Sequence, residues 1–183
     1  MKALTFVLSL FTLTLISCGS TQTAATPAEI EALKKLVDSK TFYIESDWAY
    51  PQITAAMSQV LNSPLMQPGS GGGGVNLIGN SNFLKLEGDS ITSYLPYFGE
   101  RRMGAAYGGT DNSIEFKGLV EDYRVKANKH SGYTINFDAK SNNENFTVSV
   151  DLFPNMKSSM TLTGNTRTPI QYTGKVSAKK EED

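Results

Sequence analysis

Hydrophobic and polar positions alternate with a period of two along most of the chain from residue 41 onward. The clearest run is 133–138, in which aromatic or aliphatic residues alternate with threonine, asparagine and aspartate. This period indicates β-strands with one buried face. Similar runs separated by turn sequences lie at residues 41–47, 75–78, 83–87, 90–95, 113–117, 121–128, 146–152, 160–163 and 170–176.

About ten short strands with one apolar face and tight turns favour a mostly β domain built as an antiparallel meander. Such a meander either closes into a small lipocalin-like barrel or folds into a two-layer β-sandwich, because both arrangements protect edge strands. The barrel is the favoured prediction. We expect one domain, residues 41–177, preceded by a short N-terminal helix and followed by a charged tail, residues 178–183.

The helix is predicted over residues 27–40. Thr26 and Glu29 are spaced as a capping box, with Pro27 at the favoured first helical position. An apolar stripe follows at helical spacing and consists of Ile30, Leu33, Leu36 and Val37. Packing against the domain, or plugging one of its ends, is the expected use of this stripe, and binding of a partner is the alternative.

The segment between the first two strands is ambiguous. Pro51, Pro64 and Pro68 bracket an apolar run that allows one or two helical turns. The glycine-rich residues 69–74 predict a flexible loop tip. They lack the lysine and the following helix that a phosphate-binding loop needs.

The first 26 residues predict a lipoprotein leader. Lys2 precedes an apolar stretch that ends in Leu-Ile-Ser-Cys at Cys18, the only cysteine of the chain. This arrangement predicts a signal peptide over residues 1–17, a lipid on Cys18, and a polar tether over residues 18–26. Several acyl chains would anchor the protein stably in a membrane.

Charge and composition exclude several function classes. Without Lys2 the chain has 17 − 1 = 16 basic and 18 acidic residues, a net charge of −2 that gives no basic footprint for nucleic acid. Once Cys18 carries lipid, no thiol remains for catalysis or metal binding. The single histidine, His130, lies in a predicted turn, and the carboxylate pairs Glu45/Asp47 and Glu87/Asp89 fit solvated strand faces. We therefore predict a non-enzyme with no metal and no cofactor.

One loop has the composition of a recognition surface. The segment 94–109 combines tyrosines, a phenylalanine and paired arginines between glycines, and these residue types are enriched at interfaces. The alternative is that its aromatic residues cover an open end of the barrel. The candidate binding residues are Tyr94, Tyr97, Phe98, Arg101, Arg102 and Tyr107.

Residues 93–99 read Ser-Tyr-Leu-Pro-Tyr-Phe-Gly, and residues 107–109 read Tyr-Gly-Gly. Together with segments 42–51, 114–118, 123–137 and 152–155, they resemble a family of Bacteroidota lipoproteins, domain of unknown function 4251. The resemblance is to the family as a whole. It extends over residues 41–176, with residues 55–74 as an insertion. It implies an envelope lipoprotein and brings no activity and no catalytic residue.

Surface-exposed lipoproteins of that phylum typically carry acidic residues directly after the cysteine. Residues 19–23 carry none, so we expect an outer-membrane lipoprotein that faces the periplasm. Two functions remain open: a binding module that holds a small apolar ligand, and a structural or assembly protein that docks onto another envelope protein. A barrel interior filled by Phe116, Phe137, Phe146 and Tyr172 would favour docking, and an empty cavity would favour ligand binding.

Overall fold

The computed structural model describes residues 25–61, 63, 69–71, 73–102, 113–141 and 144–178. The predicted leader, Cys18 and Tyr107 lie outside these residues. The described chain contains the helices α1 (Pro27–Asp38) and α2 (Ala55–Leu61). Its strands are β1 (Thr41–Pro51), β2 (Val75–Asn76), β3 (Phe83–Glu87), β4 (Ser90–Tyr94), β5 (Lys117–Leu119), β6 (Glu121–Ala127), β7 (Tyr133–Ser141), β8 (Glu144–Leu152), β9 (Lys157–Gly164) and β10 (Ile170–Ser177).

The strands form one antiparallel sheet in the order β5-β4-β3-β1-β10-β9-β8-β7-β6, and β2 pairs with the far half of β1. The sheet curls into a nearly closed barrel of nine strands. The edge strands β5 and β6 are joined directly through Val120, whose amide donates to the carbonyl of Asp89 at 2.9 Å. The predicted antiparallel barrel with a short N-terminal helix is thus confirmed.

Side chains fill the interior of the barrel. Phe116, Phe137, Phe146 and Tyr172 are each at most 2 % exposed. The rings of Phe116 and Phe146 meet edge to face, with centroids 5.6 Å apart. A barrel of about eight strands is just wide enough for side chains to fill it, and large aromatic residues occupy that space here.

Helix α1 begins with the predicted capping box. The amide of Thr26 donates to the Glu29 carboxylate at 2.8 Å, and the amide of Glu29 donates to the Thr26 hydroxyl at 3.3 Å. Leu33, Leu36 and Val37 are buried in the core cluster of the domain. The apolar stripe of α1 therefore packs against the barrel, and this face is not available to a partner. Among the described residues, no helix has the length and apolar character needed to cross a membrane.

Two strand predictions need correction at the barrel seam. Residues 113–116 were expected in a strand, but β5 starts at Lys117, because the Ser93 hydroxyl accepts the amide of Phe116 at 2.9 Å and interrupts the ladder. Strand β6 was expected to bury an apolar face, yet Val125 is 39 % exposed. As an edge strand with a register shift beside Asp122, which has φ 52°, β6 is covered only in part.

The predicted flexible glycine loop lies in part against the barrel wall. Gly71 and Gly74 exchange two backbone hydrogen bonds of 3.0 Å. A Cβ atom on Gly74 would lie 2.8 Å from Cε1 of Tyr50, closer than real Cβ contacts. Glycine at this position therefore lets the backbone rest on an aromatic ring of β1.

Candidate functional site

Tyr97, in the centre of the predicted binding loop, points into one end of the barrel and is 5 % exposed. Its hydroxyl lies 2.9 Å from the carbonyl oxygens of both Glu100 and Thr168, and 3.0 Å from the Thr168 hydroxyl. The Thr168 amide donates to the Glu100 carbonyl at 2.9 Å, and the Glu100 amide donates to the Thr168 hydroxyl at 3.1 Å. This network ties the loop to the segment that leads into β10.

A buried ion pair completes this end of the barrel. Nε of Arg167, a residue 5 % exposed, donates to the carboxylate of Glu144 at 2.7 Å. The Arg167 guanidinium carbon also lies 4.9 Å from the ring centroid of Tyr97, within cation–π range. The Tyr172 hydroxyl donates to the carbonyl of Pro96 at 2.8 Å. We call Tyr97, Glu144, Arg167 and Tyr172 the barrel plug.

The electrostatics of the plug favour neutral tyrosines. Burial raises the pKa of the Tyr97 phenol, while its hydrogen bond to Thr168 and the nearby Arg167 charge oppose the rise. Burial raises the pKa of Tyr172 further still. Both hydroxyls therefore remain protonated at neutral pH and act as hydrogen-bond donors.

The other predicted loop residues do not share the orientation of Tyr97. Tyr94 and Arg102 are exposed, Phe98 packs partly against the core, and Arg101 is partly exposed. The Arg102 amide donates to the carbonyl of Thr166 at 2.7 Å, so the loop backbone continues to pair with the segment before β10. The described residues thus form a structural plug with a few outward side chains, and their part in binding stays a prediction.

Sequence reasoning missed the partners of Tyr97. Glu144 is the first residue of β8 and Arg167 lies between β9 and β10, and neither has an apolar pattern around it that would signal burial. Thr168 contacts Tyr97 across 71 positions of sequence. The only signal in the sequence was the set of aromatic residues in the loop, which fitted both a recognition surface and a barrel cover.

An apolar patch lies on the outside of the barrel. A register shift between Ser46 and Trp48 turns Trp48 outward, where it stacks on Tyr50 with ring centroids 6.4 Å apart. Gly74 covers part of both rings, and a Cβ atom on Gly73 would lie 3.6 Å from Cδ1 of Ile53. Tyr50 is 38 % and Ile53 51 % exposed. We call these five residues, Trp48, Tyr50, Ile53, Gly73 and Gly74, the glycine–aromatic patch.

A polar groove of about 520 Å³ lies over strands β7, β8 and β9. Asp138, Thr147 and Thr163 stand opposite one another in the register of these strands. The groove is lined by Glu121, Asp138, Ala139, Lys140, Asn145, Phe146, Thr147, Thr163, Gly164 and Asn165.

The residues considered for catalysis lie apart from these features. His130 is exposed in the turn after β6, with its ring 6.4 Å from that of Phe153. Glu87 pairs with Lys85 at 2.8 Å and Asp89 with Lys40 at 3.0 Å, all on the surface. In the part of the chain that the structure describes, no three metal-ligating side chains are grouped together.

Fold and burial together define a small antiparallel β-barrel domain whose interior holds large aromatic side chains. The family described as Domain of unknown function (DUF4251) matches residues 25–176, and the chain belongs to this family, as the resemblance indicated. The fold is similar to the crystal structure of a DUF4251 family protein from Bacteroides eggerthii DSM 20697. That similarity has a TM-score of 0.52 and 12 % sequence identity, and it covers 81 % of this chain and 87 % of the other. Among curated proteins, none matches the sequence.

Proposed function

We propose that the protein is a non-enzymatic binding module of the cell envelope that docks onto another envelope protein. In this proposal a lipid on Cys18 anchors it in the outer membrane, and the barrel faces the periplasm. The leader sequence and the polar tether support the anchoring.

The packed interior of the barrel favours docking over the binding of a ligand inside the barrel. A small apolar ligand inside the barrel would need the space that Phe116, Phe137, Phe146 and Tyr172 occupy. Inserting extra volume into a well-packed core forces side chains out of their preferred rotamers and typically costs about 1–3 kcal/mol. The alternative, a barrel that holds a small apolar ligand, is therefore the weaker hypothesis, and binding is proposed on the outside.

The glycine–aromatic patch is the proposed docking surface. Tyrosine and tryptophan dominate interface cores because they bury large areas with few rotatable bonds. The backbone of Gly73 and Gly74 lies against these side chains and borders the patch. A partner with a complementary apolar surface fits this patch, which surrounds the Pro51 end of β1.

The patch lies at the end of β1 opposite helix α1. Helix α1 joins the barrel through Ser39 and Lys40 at the Thr41 end of β1, whereas the patch surrounds the Pro51 end of the same strand.

Site-specific photocrosslinking in intact cell envelopes tests the docking surface. A benzoylphenylalanine at Tyr50 should give an adduct of one discrete mass, which Ile53→Asp should abolish. The same probe at His130, which is exposed and distant in the fold, is the matched control, and a third probe at Tyr94 tests the predicted loop. Adducts at Tyr94 or His130 but not at Tyr50 would contradict the proposed surface. Retention of Cys18→Ala in the membrane fraction would contradict the lipid anchor.

A further inference from the structure

The polar groove has an ordered wall of hydrogen-bonding side chains. Asp138, Thr147 and Thr163 form one row across β7, β8 and β9. Lys140 and Asn145 are in register two positions further along, and Asn165 follows Thr163 by two positions. Because side chains two positions apart on a strand lie on the same face, both rows point outward from the sheet. The wall therefore offers hydroxyl, amide, ammonium and carboxylate groups within one concave surface.

The inner face of the same strands is apolar. Ala139 and Phe146 belong to the buried core and alternate with Asp138 and Thr147, so their side chains point into the barrel. A Cβ atom on Gly164 would lie 2.8 Å from Cε1 of Phe146, so the absent side chain lets the phenyl ring fill the space beneath the backbone of β9. A ligand in the groove would therefore meet the outward polar side chains.

The charged groups of the groove mostly bind one another or a neighbouring hydroxyl. Lys140 donates to the Glu121 carboxylate at 2.8 Å, and this hydrogen bond raises the pKa of the Lys140 ammonium. Asp138 accepts a hydrogen bond of 2.8 Å from the Thr147 hydroxyl. Two carboxylates and one ammonium give the lining a net charge of 1 − 2 = −1. This balance disfavours phosphate and nucleic acid, which need surplus positive charge.

We propose that the polar groove binds a neutral saccharide. Sugar hydroxyls are both donors and acceptors, which suits the mixed set of Asp138, Asn145, Thr147, Thr163 and Asn165. The volume of about 520 Å³ lies within the range of small-molecule sites, roughly 300–1,000 Å³.

This site is independent of the proposed docking surface. The groove lies over β7, β8 and β9, whereas the glycine–aromatic patch lies on β1 and the segments that follow it. Strand β10 separates β1 from β9 in the sheet. Failure of one proposal therefore leaves the other standing.

Amide chemical shifts of the ¹⁵N-labelled full chain test the proposal. Glucose, galactose, mannose and N-acetylglucosamine are titrated separately, with sodium phosphate as a charged comparison. At least one sugar should shift the amides of Asn145, Thr147 and Thr163 saturably, with a Kd on the order of 1 mM. Phosphate should leave these amides unchanged.

Two tyrosine variants separate the groove from the rest of the outer face. Thr163→Tyr places a ring in the groove at an exposed position and should weaken sugar binding at least about tenfold. Gln171→Tyr, equally exposed on the outer face of β10 but outside the groove, should change binding less than about twofold. The proposal is overturned if no sugar gives saturable shifts up to about 50 mM, if phosphate alone shifts the groove, or if both variants bind equally.

Discussion

Replacement of Tyr97 by phenylalanine tests whether the predicted binding loop is a structural plug. The change removes only the hydroxyl that meets Glu100 and Thr168 and leaves the ring under Arg167 in place. The Glu100 carbonyl and the Thr168 hydroxyl keep their backbone donors at 2.9 and 3.1 Å. The variant therefore loses one buried hydrogen bond, and the Thr168 carbonyl loses a donor. The free energy of unfolding should fall by about 1–2 kcal/mol.

Tyr97→Ala removes the ring as well and should cost about 3–5 kcal/mol. Arg102→Ala, at an exposed position of the same loop, should stay within about 0.5 kcal/mol of the unmodified chain. Urea unfolding followed by circular dichroism measures all three variants. The midpoints should fall in the order Arg102→Ala, Tyr97→Phe, Tyr97→Ala while the slope with urea stays constant.

A double-mutant cycle sharpens the test. Thr168→Val removes the hydroxyl that faces Tyr97, so the double variant Tyr97→Phe/Thr168→Val should cost less than the sum of the single changes. Additivity within about 0.3 kcal/mol would refute the hydrogen-bond network. If Tyr97→Ala left the stability unchanged and abolished a crosslink formed at Tyr94, the loop would be a recognition surface and the plug interpretation would be wrong.

Three further perturbations test the packing of the barrel. Burial raises the pKa of Tyr172 above the ordinary value of about 10, so the folded state binds more protons than the unfolded state at alkaline pH. The stability that this group contributes is complete below about pH 10 and should fall above it. Urea unfolding midpoints at increasing pH measure this fall, which should be smaller in Tyr172→Phe. Gly174→Ala places a Cβ atom 2.0 Å from a carbonyl oxygen of β1 and should lower the thermal midpoint strongly, whereas Gly118→Ala, with open space around it, should not. Removing Arg167 or Glu144 alone should cost about 3–5 kcal/mol, and the double variant Glu144→Leu/Arg167→Met should cost less than either single change, as measured by the same urea assay.

Local patterns predicted most of the fold. The period of two in β7 to β10 and the capping box of α1 depend on neighbouring residues, and both are present in the structure. The prediction for β5 failed because the hydroxyl of Ser93, on another strand, takes the place of a ladder carbonyl. The prediction that β6 buries an apolar face was wrong because the position of β6 at the sheet edge depends on the whole strand order.

The candidate site was harder to predict for the same reason. The composition of the loop around Tyr97 indicated that its aromatic residues take part in binding or in covering the barrel. The inward direction of the Tyr97 side chain depends on contacts with Thr168 and Arg167, which lie far along the chain. The groove arises from strand register, because Asp138 and Thr163 become neighbours of Thr147 only when β7, β8 and β9 pair. Neither arrangement leaves a short motif in the sequence.

The pairing of β1 with β10 dictates how the chain must reach its folded state. Ile44 lies opposite Val176, so a strand near the start of the domain stays half-paired until the last strand is available. During synthesis the open edges of β1 and β9 are templates for aggregation, and pairing across so large a sequence distance makes folding slow. A chain cut short before Ile170 should accumulate as insoluble material, and a chaperone that covers these two edges would have its greatest effect before the final hairpin forms.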